Sequence, residues 1–208
     1  MTMENPGTLY IISAPSGAGK TSLARALSAA DPKVAISISH TTRPPRPGER
    51  NGIHYHFVSE EAFQDMHRKN AFLEHAEVFG NRYGTSRESL MQRIRDGLDV
   101  ILEIDWQGAR QVRDGISACV SIFILPPSRD ALARRLDDRQ QDDPSVIAKR
   151  MQEARAECTH FDEFDYLIIN DDFHRALSDL QAVLRAQRLR RPRQIRSHRP
   201  LIDSLLER

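Results

Sequence analysis

The chain has 208 residues, 39% of them hydrophobic, which suits one large domain or a core with insertions. Its 30 basic and 29 acidic residues leave a formal charge of +1, excluding a global field that would draw it to nucleic acid or an anionic membrane. Cys119 and Cys158 stand far apart and in no C-x-x-C pair, and no run approaches a membrane-spanning length, so a cytoplasmic protein without disulfides, structural zinc or a membrane partner is expected.

Leu9 to Thr21 reads LYIISAPSGAGKT: an apolar run, a glycine-spaced turn, then Lys-Thr at the mouth of an amphipathic segment. A strand ending at Ala14 must reverse tightly here. Gly17 and Gly19 let backbone N–H groups converge on an anion with no Cβ in the way. Lys20 adds a mobile cation, the Thr21 hydroxyl stands where a Mg²⁺ ligand belongs, and a helix opening at Lys20 aims its positive end at the same point. Leu23, Ala26, Leu27 and Ala30 repeat at helical spacing until Pro32 stops the pattern. The stretch reads as a phosphate cradle, departing from G-x-x-x-x-G-K-[ST] only in Ala14, which replaces the first glycine.

Further apolar runs read as buried strands at Val34 to Ile38, Val100 to Ile104, Val120 to Leu125 and Tyr166 to Ile169, with helical patterns over Arg87 to Arg95, Arg129 to Leu136 and Phe173 to Leu189. This alternation predicts an α/β fold, a parallel five-stranded sheet flanked by helices, with ligands beyond the carboxyl ends of the strands. Between the second and third strands, Ser39 to Gly97 carries shorter alternating pieces, Ile53 to Val58 and Phe72 to Phe79, and a helix capped by Ser59 with Glu60 and Glu61 in its first turn. That stretch reads as an inserted subdomain. Asp137 to Pro144, DDRQQDDP, is too polar for core and reads as a lid. The expected division is a core of residues 1–38, 98–136 and 158–208, an insert of 39–97 and a lid of 137–157. The arginine-rich run from Arg185 to Arg199 has no interleaved aromatic residue and reads as a solvated helix end and basic tail, not an RNA-binding surface. His54 and His56 share a strand face but lack companion metal ligands.

SHTTRPPRPGE, Ser39 to Glu49, sets Arg43 and Arg46 three residues apart among stiff prolines, two guanidinium forks for one phosphate. Beside the first cradle this is a second anion site, and two phosphate sites mean two nucleotides.

In chain order, APSGAGKT, SHTTRPPRPGE, GIHYHF, FLEHAEVFGNRYGTS, EIDWQGA, IFILPPS and IINDD resemble guanylate kinase, covering Thr8 to Asp172. The resemblance implies a P-loop kinase transferring a phosphoryl group from ATP to GMP, and also to dGMP, giving ADP and GDP, with Mg²⁺ accompanying ATP. It implies a donor site of Ala14, Pro15, Ser16, Gly17, Ala18, Gly19, Lys20, Thr21 and Ser22, with Asn170 on the adenine side. It puts Arg43, Arg46, Tyr55 and Tyr83 on the GMP phosphate, and Ser39, Glu74, Thr85 and Asp105 around guanine. Lys20 and Arg43, with the lid-region arginines Arg135, Arg139 and Arg150, become the catalytic set. Thr21 holds the metal, and Glu103, where many relatives carry Asp, reaches it through water. Asp172 reads as a helix cap.

The chemistry of the base agrees. Guanine offers N1–H and a 2-amine as adjacent donors, which a carboxylate such as Glu74 accepts together, while Ser39 or Thr85 donates to O6. Adenine presents an acceptor at N1 and no 2-amine, a mismatch that discriminates by roughly 10⁴. The other readings are a catalytically inactive guanylate-kinase-like binding module, against which the intact Gly19, Lys20 and Thr21 argue, and a small phosphosugar kinase, which has no need of Ser39, Glu74 and Asp105 together.

Overall fold

The first strand, β1 (Leu9–Ser13), is buried along its whole length, as a strand covered on both faces must be. It turns through the glycines into α1 (Lys20–Ala30), which packs Leu23, Ala24 and Leu27 inward, and the chain returns as β2 (Val34–Ile36). Then come β3 (His40–Thr41), β4 (His56–Phe57), α2 (Glu60–Arg68), β5 (Phe72–Val78), β6 (Asn81–Ser86), α3 (Arg87–Arg95), β7 (Asp99–Glu103) and α4 (Trp106–Gly115). The chain closes with β8 (Cys119–Leu125), α5 (Arg129–Asp137), α6 (Pro144–Cys158), a 3₁₀ turn at Phe161–Glu163, β9 (Tyr166–Ile169), α7 (Phe173–Arg188), α8 (Arg191–Ser197) and α9 (Arg199–Leu206). This computed structural model describes residues 6–78, 80–116, 118–137 and 144–207, without the side chains of 137 and 144–150.

The main sheet is parallel throughout, in the order β2-β7-β1-β8-β9. Alternate residues of β1 face opposite layers: Tyr10 and Ile12 meet Leu23, Leu27, Leu180 and Leu184 from α1 and α7, whereas Leu9 and Ile11 meet Leu90 and Val112 from α3 and α4. With β7 on one side of β1 and β8 on the other, β1 is the point where the strand order reverses, and a crevice opens beyond the ends of β1 and β7. The phosphate loop and the turn Ile104–Asp105 occupy that crevice. A second sheet, β4-β3-β6-β5, stands beside it and carries residues from the expected insert.

Several expectations need correction. The strand expected over Val34 to Ile38 stops at Ile36, and Ile53 to Val58 shrinks to His56–Phe57, because residues before it form a turn with Gly52 at φ +74 and an isolated bridge from Asn51 to Tyr55. Neither β6 nor α4 is marked by an apolar run; β6 exists because β5 pairs with it antiparallel and Phe72 and Phe63 pack against Gly84. The basic tail is not simply solvated. Arg188 Nε reaches Asp99 Oδ2 at 2.7 Å, and Arg193 Nη1 reaches Asp99 Oδ1 at 3.1 Å and Thr8 Oγ1 at 2.9 Å. Asp99 is fully buried, so these arginines fasten α7 and α8 to the start of β7. Ser59 and Asp172 cap α2 and α7 as read from the sequence.

Candidate active site

The loop after β1 has the backbone its glycines foretell: Gly17 at φ +88 and Gly19 at φ +95, both in the left-handed region. Gly19 is the N-cap of α1, so the helix begins at Lys20 with its unpaired N–H groups opening into the crevice. The loop is braced from behind. Asn170, 5% exposed, donates from Nδ2 to Ala18 O at 2.7 Å, and a Cβ on Gly19 would stand 2.4 Å from that nitrogen. Asn170, expected on the adenine side, is thus placed beneath the loop. Ala14 and Pro15 are buried, whereas Ser16, Thr21 and Ser22 are exposed. Lys20 Nζ rests 3.3 Å from Ile104 O, and the Thr21 hydroxyl donates to Glu103 Oε2 at 2.7 Å.

From β5, β6 and Ser39, the residue before β3, comes a polar chain buried at Glu74 and Thr85. Ser39 Oγ lies 3.2 Å from Thr85 Oγ1, and Thr85 donates to Glu74 Oε1 at 2.6 Å. Glu74 is 4% exposed and Thr85 0%. Burial pushes the Glu74 carboxyl up to about 7, the Thr85 hydrogen bond opposing this and the nearby Asp105 charge reinforcing it. Asp105 caps α4 by accepting from Gly108 N at 2.8 Å. A Cβ on Gly108 would stand 3.1 Å from Glu74 Oε2 and 3.4 Å from Asp105 Oδ1, so the bare glycine brings both carboxylates together. Glu74 and Asp105 line a cleft of about 370 Å³ with Ser39, Arg46, Tyr55, Tyr83 and Glu103, and Ser16 and Lys20 border it. A neighbouring cavity of about 500 Å³ shares Lys20, Ser39, Arg46, Tyr55 and Glu103. The two expected sites therefore meet around Lys20.

Arg43 is held by Glu49, its Nη2 lying 2.9 and 3.0 Å from the two carboxylate oxygens, and stands 5.5 Å from the Tyr55 ring. Glu49 raises the Arg43 pKa, with help from the Tyr83 hydroxyl, and burial opposes it. Arg46 is exposed and lines both cavities. Burial also raises the Tyr55 pKa, with the Tyr83 charge adding to it. On α5, Arg135 Nη2 donates to Asn170 O at 2.9 Å, while its buried Nη1 lacks a hydrogen-bond partner among the described residues. Arg139 and the side chain of Arg150 lie outside the described residues.

Sequence reasoning missed three contributors. Glu49 stands inside a motif read only for its arginines; Gly108 matters only because α4 packs against β5; and Glu157, whose Oε2 accepts from Ser16 N at 3.1 Å, is separated from the loop by 141 positions. Glu49 and Gly108 fall inside quoted motifs that give them no role, and Glu157 is marked by no local pattern.

A family model described as guanylate kinase matches residues 6–187. The chain belongs to the guanylate kinase family. A guanylate kinase of Alkalilimnicola ehrlichii is 60% identical over 189 residues, 91% of this chain and 93% of that one. The guanylate kinase of Escherichia coli strain K12 is 57% identical over 202 residues, 96% of this chain and 98% of that one. Among solved structures, guanylate kinase from Anaplasma phagocytophilum superposes with a TM-score of 0.76 at 33% identity, covering 93% of this chain and 92% of its own. Membership in the guanylate kinase family makes the chain an enzyme of the P-loop fold that moves a phosphoryl group to GMP, and its crevice is the place to look for that chemistry.

The donor set fits a magnesium ion. Thr21 and Glu103 present a hydroxyl and a carboxylate 2.7 Å apart, two hard oxygens of the kind Mg²⁺ takes while keeping its waters and binding phosphate. Among the described residues no group of three or more His, Cys, Asp or Glu could hold a metal ion. No described helix is long and apolar enough to cross a membrane.

Proposed function

We propose that the chain transfers the γ-phosphoryl group of ATP to GMP, with Mg²⁺, giving ADP and GDP, and that it works in the cytoplasm. The observation that carries this reading is the polar chain Ser39–Thr85–Glu74 beside Asp105, sharing one cleft with the phosphate-loop residues Ser16 and Lys20. A carboxylate buried to 4% exposure with one hydroxyl donor needs a ligand supplying further N–H groups, and the guanine N1–H and 2-amine supply them. Because the contacts proposed here read the base and phosphate, dGMP is accepted as well.

In the reaction, the loop N–H groups and Lys20 hold the donor phosphates, and Thr21 would hold the ion, with Glu103 reaching it through water. When bound, that ion neutralises charge on the donor phosphates. Arg46, Tyr55 and Tyr83 hold the GMP phosphate together with Arg43, which exchanges Glu49 for the substrate. Arg135 serves the group in transit, joined by Arg139 and Arg150. No side chain forms a covalent intermediate; the residues align the acceptor oxygen with the γ-phosphorus and neutralise the equatorial oxygens. The test is a coupled ADP-release assay with GMP, AMP and UMP as acceptors. Turnover with GMP and a rate lower by about 10³ or more with AMP is expected; equal rates with AMP reject the reading.

A further inference from the structure

Two loop residues border the acceptor cleft, Ser16 and Lys20, and both face carboxylates of α6. Glu153 and Glu157 line that cleft, and Glu157 Oε2 accepts from Ser16 N at 3.1 Å. A backbone N–H of a phosphate loop is a donor built for an anion, and here the chain's own carboxylate has it. Ser16 lines the same cleft as Glu74 and Tyr83, toward which the phosphoryl group must pass. Two anions cannot share one donor, and the γ-phosphate carries the greater charge.

We propose that Glu157 is a positioning residue: it latches the last turn of α6 to the phosphate loop through Ser16 N–H, and the γ-phosphate of the incoming donor displaces it. Donor binding is then coupled to release of the helix that carries Arg150. Burial raises the Glu157 pKa, with the Ser16 N–H and Lys20 opposing, which agrees with a carboxylate lodged inside the site. The inference rests on the proposed ATP-dependent function and refines it by separating ATP from ADP, since only ATP brings a group to the Ser16 side of the loop.

The test is calorimetric binding of ATP and of ADP, each with Mg²⁺, to the full chain and to Glu157→Gln, whose amide oxygen keeps the hydrogen bond without the charge. Glu157→Ala serves as a second variant, and thermal melts confirm folding. Glu157→Gln should bind ATP about fivefold more tightly and ADP within about twofold of wild type. The same variant should lower KM for ATP and leave KM for GMP unchanged. Unchanged or weaker ATP binding overturns the latch, and so does equal tightening for ATP and ADP. Turnover of GMP by the unmodified chain tests the parent reading separately, so the two failures are distinguishable.

Discussion

Glu74 joins sequence to chemistry through one number. Its carboxyl titrates at about 7, against 4.5 for an ordinary glutamate, because burial disfavours the charge more than the Thr85 hydroxyl restores it. Between those values the folded chain holds a proton that the unfolded chain has released. The stabilising effect is therefore complete below about pH 4.5 and lost as pH rises through 7, a difference of at most about 3 kcal/mol. Urea unfolding from about pH 5 to pH 8 should show stability declining in wild type and a flatter profile in Glu74→Gln. Binding of GMP runs the other way, since only the ionised carboxylate accepts both guanine donors. KM for GMP should rise as pH falls below about 7, and Glu74→Gln should raise it by about two orders of magnitude at neutral pH. Lys20→Ala should cut kcat by about 10² to 10³, read in the coupled assay, through loss of a cation from the donor phosphates. A wild-type rate in that variant contradicts its role. In the sequence Lys20 is singled out by the spacing of the glycine turn, and Glu74 by the resemblance that carries FLEHAEVFGNRYGTS. Glu49 and Glu157 are not, since their partners, Arg43 and Ser16, are assigned by the fold.

At the level of elements, legibility followed burial. The runs that became β1 and β8 are apolar because the sheet is covered on both faces there, whereas β9, at the sheet edge, buries Ile168 and leaves Leu167 and Ile169 exposed; α3 spans the range its pattern marks. Strand β6, NRYGTS, carries no such signal: it owes its place to β5, and its residues line the cleft or pack beneath it. Helix α4 hides for a related reason, since Asp105 and Gly108 at its start answer to the pocket as well as to helix formation. Gly108→Ala separates those demands. Alanine favours a helix interior by about 1 kcal/mol over glycine, so the melting temperature should hold or rise. The new methyl group must nevertheless push against Glu74 Oε2 and Ile104 Cβ, which it would meet at 3.1 and 3.3 Å, so KM for GMP should rise about tenfold while KM for ATP stays put. Unchanged GMP kinetics would show that the two carboxylates do not act on guanine from this geometry.

Across the whole molecule, function and stability sit at opposite ends of the main sheet. The crevice opens beyond the carboxyl ends of β1 and β7, while Asp99, at the start of β7, gathers Arg188 and Arg193 from the C-terminal helices. The sequence shows those arginines only as a basic run; their burial against Asp99 depends on where α7 and α8 return in space. Arg193→Ala leaves the buried Asp99 with one guanidinium, Arg188, beside the Thr8 N–H, and should lower stability by about 2 kcal/mol in urea unfolding, with kcat unaltered at temperatures below the transition. At the other end, two adjoining pockets fill together in the proposed reaction. The most direct measurement is a crystal structure of the chain with GMP and a non-hydrolysable ATP analogue. It should show guanine N1–H and the 2-amine on Glu74, Arg43 released from Glu49 onto the GMP phosphate, and the donor γ-phosphate at Ser16 and Lys20 in line with the acceptor. A single occupied pocket, with Arg43 still paired to Glu49 and Glu74 facing no base, would contradict it.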